Sequence, residues 1–187
     1  MAHANNSVIT GKLKGSIGKE LVFREWEGKT VVAKSPKART GAPTAAQEKT
    51  QEHFLLAALY AKFIMNDPDM VAGYAAALRP RQNVYSRALE DFINAPVVTN
   101  ISLRAYTGAA GDSIIIRAKD DFRVVNVQVE IYSPDGNLLE KGECIQNKNG
   151  VDFTYTAKLA NPALAGSTVK AIAFDVPGNE GALELVL

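Results

Sequence analysis

Strict alternation of apolar and polar positions indicates β-strands in two regions of the chain. Residues 20–26 and 29–34 form two such runs, and Glu27 and Gly28 between them suit a two-residue hairpin turn, because glycine tolerates a positive φ. The second region begins after Pro96 and continues to the last residue. There the alternation predicts about seven short strands separated by turns, near residues 101–105, 114–118, 125–131, 138–144, 151–157, 168–174 and 182–187.

Helical periodicity is confined to residues 44–93. A capping box over residues 44–47 begins a first helix, which is predicted to end near residue 65. Asp67 can cap a second helix and Pro68 suits its first position, and a third helix is predicted to end near Ile93. The first helix carries an apolar stripe at helical spacing with one charged interruption: Phe54, Leu55, Ala58, Leu59, Lys62 and Phe63.

The two patterns meet at residues 94–96 and predict two domains. Residues 1–95 are predicted to hold an extended, glycine-punctuated arm over residues 1–18, the hairpin and the helices. Residues 96–187 are predicted to form an immunoglobulin-like (Ig-like) β-sandwich, because regularly spaced short strands with turn residues between them are typical of that architecture. The predicted fold class is therefore α+β, with an N-terminal β-hairpin arm and short helices followed by an Ig-like antiparallel β-sandwich.

Composition is that of a globular protein. Hydrophobic residues make up 47% of the chain and charged residues 22%, and no apolar run is long enough for a membrane span. A lone cysteine, Cys144, excludes an internal disulfide, and with only His3 and His53 beside it no Cys/His metal cluster is expected. The opening residues lack the apolar core of a secretory signal, so a cytoplasmic location or release by a non-Sec route is expected.

The sequence favours no catalytic machinery. Cys144 has no histidine near it in sequence, and no pair of carboxylates is singled out by spacing, so we expect no enzyme activity and no cofactor. Gly18 and Lys19 do not match a phosphate-binding loop. Four aspartates in predicted loops are possible calcium ligands. The spacing of calcium-binding loops is absent, and a role in turn formation explains the same residues equally well. They are Asp112, Asp120, Asp121 and Asp175.

Charge is distributed unevenly along the chain. Residues 1–95 carry a net charge of +4 and residues 96–187 a net charge of −3, which together give the +1 of the whole chain. Basic side chains with Phe23 and Trp26 between them are compatible with nucleic-acid binding, and equally with a solvated strand edge protected by lysine. The basic residues are Lys12, Lys14, Lys19, Arg24, Lys29, Lys34, Lys37 and Arg39.

Two segments carry a resemblance to known proteins. The run GKLKGSIGKELVFREWEGKTVVAKSP followed by PTAAQ, over residues 11–47, resembles an uncharacterised Bacteroidota family with a glycine-rich start, a β-hairpin and a T-x-x-Q helix start. The turn Ala173-Phe-Asp175-Val-Pro-Gly178-Asn179 resembles one in Ig-like modules of bacterial surface and virion proteins. The resemblance implies the architecture given above and implies no activity.

The expected function is that of a non-enzymatic structural subunit. A hairpin alone is marginally stable, and open sheet edges can join chains by strand addition. The chain is therefore expected to assemble with itself, or into a filament, tube or virion-like particle, through its arm and sheet edges. A soluble binding or adhesion module and a nucleic-acid-binding protein are the alternatives. The expected assembly residues are Val8, Ile9, Leu13, Ile17 and Trp26.

Overall fold

The computed structural model describes residues 2–4, 13–26, 28–37 and 41–187 of the chain. It divides into two compact units, a first unit over Met1–Ala45 and a second over Ala46–Leu187. The predicted division into domains 1–95 and 96–187, with residues 96–187 able to fold independently, stays a prediction.

The first unit is built on one antiparallel sheet. Its strands are β1 (Ala2–Ala4), β2 (Gly15–Ile17), β3 (Leu21–Trp26) and β4 (Lys29–Lys34), in the order β1-β4-β3-β2. Trp26 pairs with Lys29, and Gly28 has a φ of 72°, so the predicted hairpin and its two-residue turn are confirmed.

The N-terminal segment is not a plain arm attached to a hairpin, and that part of the prediction is wrong. Within residues 1–18, β1 pairs with β4 and β2 pairs with β3, which makes the hairpin the centre of a four-stranded sheet. The physical reason is a second turn: Gly18 and Lys19 have φ values of 60° and 56°, and the Glu20 N–H donates to the Ile17 carbonyl. Positive φ at both central residues is the property of a type I′ turn, which reverses the chain into a hairpin.

Three helices begin the second unit: α1 (Ala45–Ile64), α2 (Pro68–Ala76) and α3 (Val84–Ile93). The sequence predicted each of them. The Asp67 carboxylate accepts from the backbone of Asp69 and Met70, as expected of an N-cap, and Asn83 caps α3 by accepting from the Ser86 N–H. The helices enclose a small core of Ala61, Ile64, Tyr74 and Ala88.

Two four-stranded antiparallel sheets follow, ordered β5-β6-β10-β9 and β12-β11-β7-β8. The first holds β5 (Val97–Ala105), β6 (Ser113–Lys119), β9 (Ile145–Gln146) and β10 (Asp152–Thr156). The second holds β7 (Val124–Tyr132), β8 (Leu138–Glu143), β11 (Thr168–Asp175) and β12 (Glu180–Val186). The α+β class and the antiparallel, sheet-rich second half are thus confirmed.

A single apolar core lies under these two sheets. Burial alternates residue by residue along β6 and β11, so that every second side chain points into the core. Both sheets contribute to it, with Ile114 and Ile116 from the first and Val127, Val129, Ile131, Val169, Ala171 and Ala173 from the second. Among the described residues, no helix is long and apolar enough to cross a membrane.

Candidate assembly surfaces

The residues predicted to mediate assembly are largely exposed where the structure describes them. The exposed fraction is 37% for Leu13, 60% for Ile17 and 65% for Trp26, whereas Val8 and Ile9 lie outside the described residues. Large apolar side chains at this exposure cost hydration free energy, and a partner surface that covered them would recover it. Their exposure is therefore compatible with a role in contacts to another chain.

Strand register places these residues on different faces of the first sheet. Ile17 lies opposite Leu21, which alternates with Val22 on β3, so Ile17 and Leu21 share a face. Trp26 is an odd number of residues from Leu21 and points to the other face, together with Arg24. The structure therefore brings Ile17 and Trp26 into one sheet without joining them in one patch.

Several basic residues of the first unit lie on or next to the strands of this sheet, among them Lys14, Arg24 and Lys29. Lys14 forms a 3.0 Å ion pair with Glu25, and both side chains are substantially exposed. Lys29 lies directly opposite Trp26 across the β3–β4 turn. A tryptophan next to a lysine, on the face that also carries Arg24, offers a stacking surface close to positive charge.

Each of the three sheets is open, with an outer strand on either side. In the second unit, the β12 edge is partly covered at its start, because a side chain at Gly181 would overlap the Pro96 backbone. At the other end of β12, the Leu187 N–H donates to Ser167 and the Leu187 carbonyl accepts from Gly166. Strands β2 and β9 are short outer strands, and Ile17 and Ile145 on them are more than half exposed.

A larger apolar surface lies on α1, where the sequence predicted a stripe without assigning it a function. Leu55, Leu59 and Phe63 of the stripe are more than half exposed. The buried side of α1 instead consists of Ala57, Ala61 and Ile64. The signal was present in the sequence, since residues 54–65 are apolar around the whole helix with Lys62 as the one charge, and a helix of that kind is normally covered on all sides.

A buried polar cluster lies where the helices of the second unit meet its sheets, and its centre is Asp91 on α3. The Tyr74 hydroxyl donates to Asp91 Oδ2 at 2.7 Å and lies 2.8 Å from the Tyr60 hydroxyl. Asp91 is fully buried, and this loss of hydration raises the pKa of its carboxyl to about 7, with a further contribution from nearby Asp120. Asp91 Oδ1 and Asp120 Oδ1 are buried and have no hydrogen-bond partner among the described residues, so a proton on Asp91 would give this pair of carboxyl groups a donor.

The turn over residues 173–179, whose sequence resembles a turn in Ig-like modules, belongs to the same cluster. Asp175 Oδ1 accepts from the backbone N–H groups of Gly178 and Asn179 at 2.8 Å and 2.6 Å. The Asn179 side-chain amide donates to Asp175 Oδ2 at 2.8 Å and to the Phe92 carbonyl at 3.1 Å. One turn between β11 and β12 thereby fixes the end of α3 against the second sheet.

The structure does not bring together the four loop aspartates that the sequence analysis named as possible calcium ligands. Asp120 and Asp175 lie near Asp91, whereas Asp112 accepts from the backbone of Thr107 and Ala109 in its own loop. Asp121 pairs with Arg79 at 2.8 Å. Within the described part of the chain, no group of three or more His, Cys, Asp or Glu side chains has an arrangement suited to a metal ion.

The remaining candidates for chemistry are accounted for by packing. Burial raises the pKa of the Cys144 thiol to about 12, which keeps it protonated and unreactive at neutral pH. The His53 ring packs edge-on against Phe92 at 5.7 Å between ring centroids. A shallow groove of about 610 Å³ lies over β5 and β6, and the charged residues Arg117 and Asp152 in it are paired with each other at 2.7 Å.

No protein-family model matches this chain, and no curated protein matches it either.

Proposed function

We propose that this chain is a non-enzymatic structural subunit that assembles with copies of itself or into a larger particle. The observation that carries the proposal is the exposure of large apolar side chains on open sheets, above all Ile17 and Trp26 in the first unit. Such side chains, on or near the outer strands of open sheets, suit joining by strand addition or by side-to-side packing. The charge difference between the two halves of the sequence complements contacts between successive copies.

The proposal includes an Ig-like character for the sheets of the second unit. Two four-stranded antiparallel sheets over one core support it, as does the Asp175–Asn179 turn. The proposed route of assembly runs through the N-terminal segment and the sheet edges. Because Gly15–Ile17 pairs with β3 within the same chain, the contact is proposed to use the outer side of β2 rather than a freely extended arm.

The test is the size and shape of the purified full-length protein. We expect gel filtration and negative-stain images to show assemblies, and we expect Ile17→Ala and Trp26→Ala to reduce their size with little change in Tm, because both side chains are mostly exposed. Leu159→Ala is the matched control, since Leu159 is 57% exposed in a loop of the second unit. A protein that stays monomeric at every concentration would contradict the proposed function.

Nucleic-acid binding is the second candidate, and the position of Lys29 opposite the exposed Trp26 favours it. In that case Trp26→Ala would weaken retention of a single-stranded oligonucleotide, and Lys29→Glu would weaken both that retention and its dependence on salt. Loss of oligonucleotide binding with unchanged assembly would assign Trp26 to this second function.

A further inference from the structure

Over residues 54–65, the second half of helix α1 presents apolar side chains on every side that does not meet its own core, with Lys62 as the one charge. Around this part of the helix, Ala57, Ala61 and Ile64 are buried, and the other directions carry exposed or half-buried apolar side chains together with the exposed Lys62. Surface helices normally carry polar residues on the outer side. Here the outer side carries Phe54, Leu55, Leu56, Leu59, Phe63 and Met65, each about half exposed or more.

This surface, the α1 face, is large enough to act as an interface. With roughly 200 Å² for a large side chain in full contact with water, its six residues expose on the order of 600 Å² of apolar area. That value lies at the upper end of the largest apolar patch of a typical monomer, about 300–600 Å². It also approaches the roughly 800 Å² that each partner contributes to a stable protein–protein interface.

We propose that the α1 face is covered by the same face of a second copy, with the two α1 helices packed antiparallel about a two-fold axis. The spacing along α1 carries this inference. Residues 48, 52, 55, 59 and 62 follow one another at alternating steps of four and three, so they line one side of the helix with the spacing at which paired helices meet, although only Leu55 and Leu59 among them are apolar. Leu55 and Leu59 occupy the middle of the seam, and charged residues occupy its ends.

The charges along the seam select the antiparallel arrangement. Glu48 and Glu52 lie toward the start of α1 and Lys62 lies in its last turn, and all three side chains are exposed. An antiparallel pair centred near residue 57 places Glu52 of each copy opposite Lys62 of the other, and Leu55 opposite Leu59. A parallel pair would place Glu52 opposite Glu52 and Lys62 opposite Lys62, so like charges would meet and the helix dipoles would align unfavourably.

The same charges argue against a lipid surface as the occupant. Helices that lie on anionic membranes flank their apolar side with lysine and arginine. The α1 face is flanked by Glu48, Glu52, Lys49 and Lys62, which balance one another. A partner with the same residues in the opposite direction fits this pattern without an excess of either charge.

This inference rests on the proposed self-association and names one of its surfaces. The first experiment compares full-length wild type, Leu59→Glu and the control Leu159→Glu by sedimentation velocity over a range of concentrations. Leu59 and Leu159 are 53% and 57% exposed, so the two substitutions place the same charge at matched exposure. We expect Leu59→Glu to weaken association at least tenfold while circular dichroism stays that of the wild type, and we expect Leu159→Glu to leave association unchanged.

A charge exchange tests the direction of packing and does not depend on the folding of Leu59→Glu. Lys62→Glu alone should weaken association, because the carboxylate it introduces in one copy lies opposite Glu52 of the other. The double variant Glu52→Lys/Lys62→Glu should restore association toward the wild-type value, since opposite charges face each other again. Restoration identifies antiparallel pairing, and no restoration overturns it.

The outcomes separate this inference from the proposed function. Assemblies that are the same size in Leu59→Glu as in the wild type would overturn the α1 pairing and leave assembly through the first sheet intact. A wild type that is monomeric at all concentrations would overturn both. Small dimers that persist in Trp26→Ala and Ile17→Ala but dissociate in Leu59→Glu would support the α1 pairing while contradicting assembly through the first sheet.

Discussion

Among single residues, Asp91 has the most unusual environment in the described structure. It is a fully buried carboxyl that accepts from Tyr74 and lies close to Asp120, and its pKa is raised to about 7. Asp175 lies nearby, and its own burial raises the pKa of the Asp175 carboxyl as well. An acid whose pKa is higher in the folded state than in the unfolded state binds more protons when folded, so the folded state is favoured at low pH.

We therefore expect stability to fall as pH rises from about 4, the ordinary value of an aspartate, to about 7. The full effect of Asp91 in this window is up to about 4 kcal/mol of unfolding free energy. Asp91→Asn places a permanent N–H donor beside Asp120 and should flatten the dependence of Tm on pH between 5 and 8. The wild type and the variant are compared by thermal melts at fixed ionic strength. A variant that keeps the full wild-type slope would show that another group, such as Asp175, causes it.

At the scale of elements, the β11–β12 turn holds α3 to the second sheet. The Asn179 side-chain amide donates to the Asp175 carboxylate and to the carbonyls of Phe92 and Asp91 on α3. Beside it, the buried Arg87 side chain donates to the Asp121 carbonyl, and Asn94 donates to Asp121 Oδ2 at 2.7 Å. The helices are therefore fixed to the sheets by polar contacts at the end of α3 as well as by apolar packing.

Asn179→Ala should lower the free energy of unfolding by about 1–3 kcal/mol, because it leaves the Phe92 carbonyl and the buried Asp175 carboxylate with one donor fewer. The control is Asn126→Ala, which removes an exposed hydrogen bond to Glu143 and should cost less than about 1 kcal/mol. Urea melts measure both. Equal losses in the two variants would mean that Asn179 does not hold the helices in place.

The sequence predicted those elements whose own residues determine them. The α2 start was found because Asp67 and Pro68 encode it locally, and β6 and β11 because one face is buried along their whole length. Strands β2 and β9, of three and two residues, are too short to show alternation. They form because a turn or a neighbouring strand brings their backbone into pairing distance. A short stretch of sequence does not contain that information.

The sequence predicted some residues of the candidate surfaces and missed others. Trp26 was singled out as an assembly residue; its side chain is mostly exposed, and the contact itself stays a prediction. The sequence predicted that the α1 stripe is helical, but it did not predict that the stripe faces away from the core. Apolar residues alone do not show which side of a helix packs against a core. The Asp91 cluster joins residues 74, 91, 120 and 175, whose proximity depends on the packing of α2, α3, β11 and the loop between β6 and β7.

For the whole molecule, the core under the two sheets is formed entirely by residues after Pro96. We therefore expect a fragment of residues 96–187 to fold alone, with a β-type circular-dichroism spectrum and a cooperative melt at a lower Tm than the full chain, because it lacks the contacts of Asn179 and Asp121 with α3. Circular dichroism and calorimetry measure this. A disordered spectrum would show that the helices are required and that the predicted boundary at residue 95 is wrong.

The two proposed contacts differ in symmetry, and together they determine the form of an assembly. Antiparallel α1 pairing is a two-fold contact, which closes on itself after two copies. A contact through the outer side of β2 to a different surface of the next copy is head-to-tail and can repeat. A dimer with such an edge on each copy would grow into a filament with a two-copy repeat, whereas either contact alone would give only dimers or single-chain rows.

The hydrogen bond from Asn179 to α3 spans 87 residues of sequence, and this has a consequence for the order of events at the ribosome. At roughly 5–20 residues per second, about 5–20 s pass between the synthesis of α3 and that of its partner turn. During this interval α1 is already synthesised, and its apolar side chains are as exposed as in the complete fold. We therefore expect pairing of α1 to begin between chains that are still being translated, before either has completed its sheets.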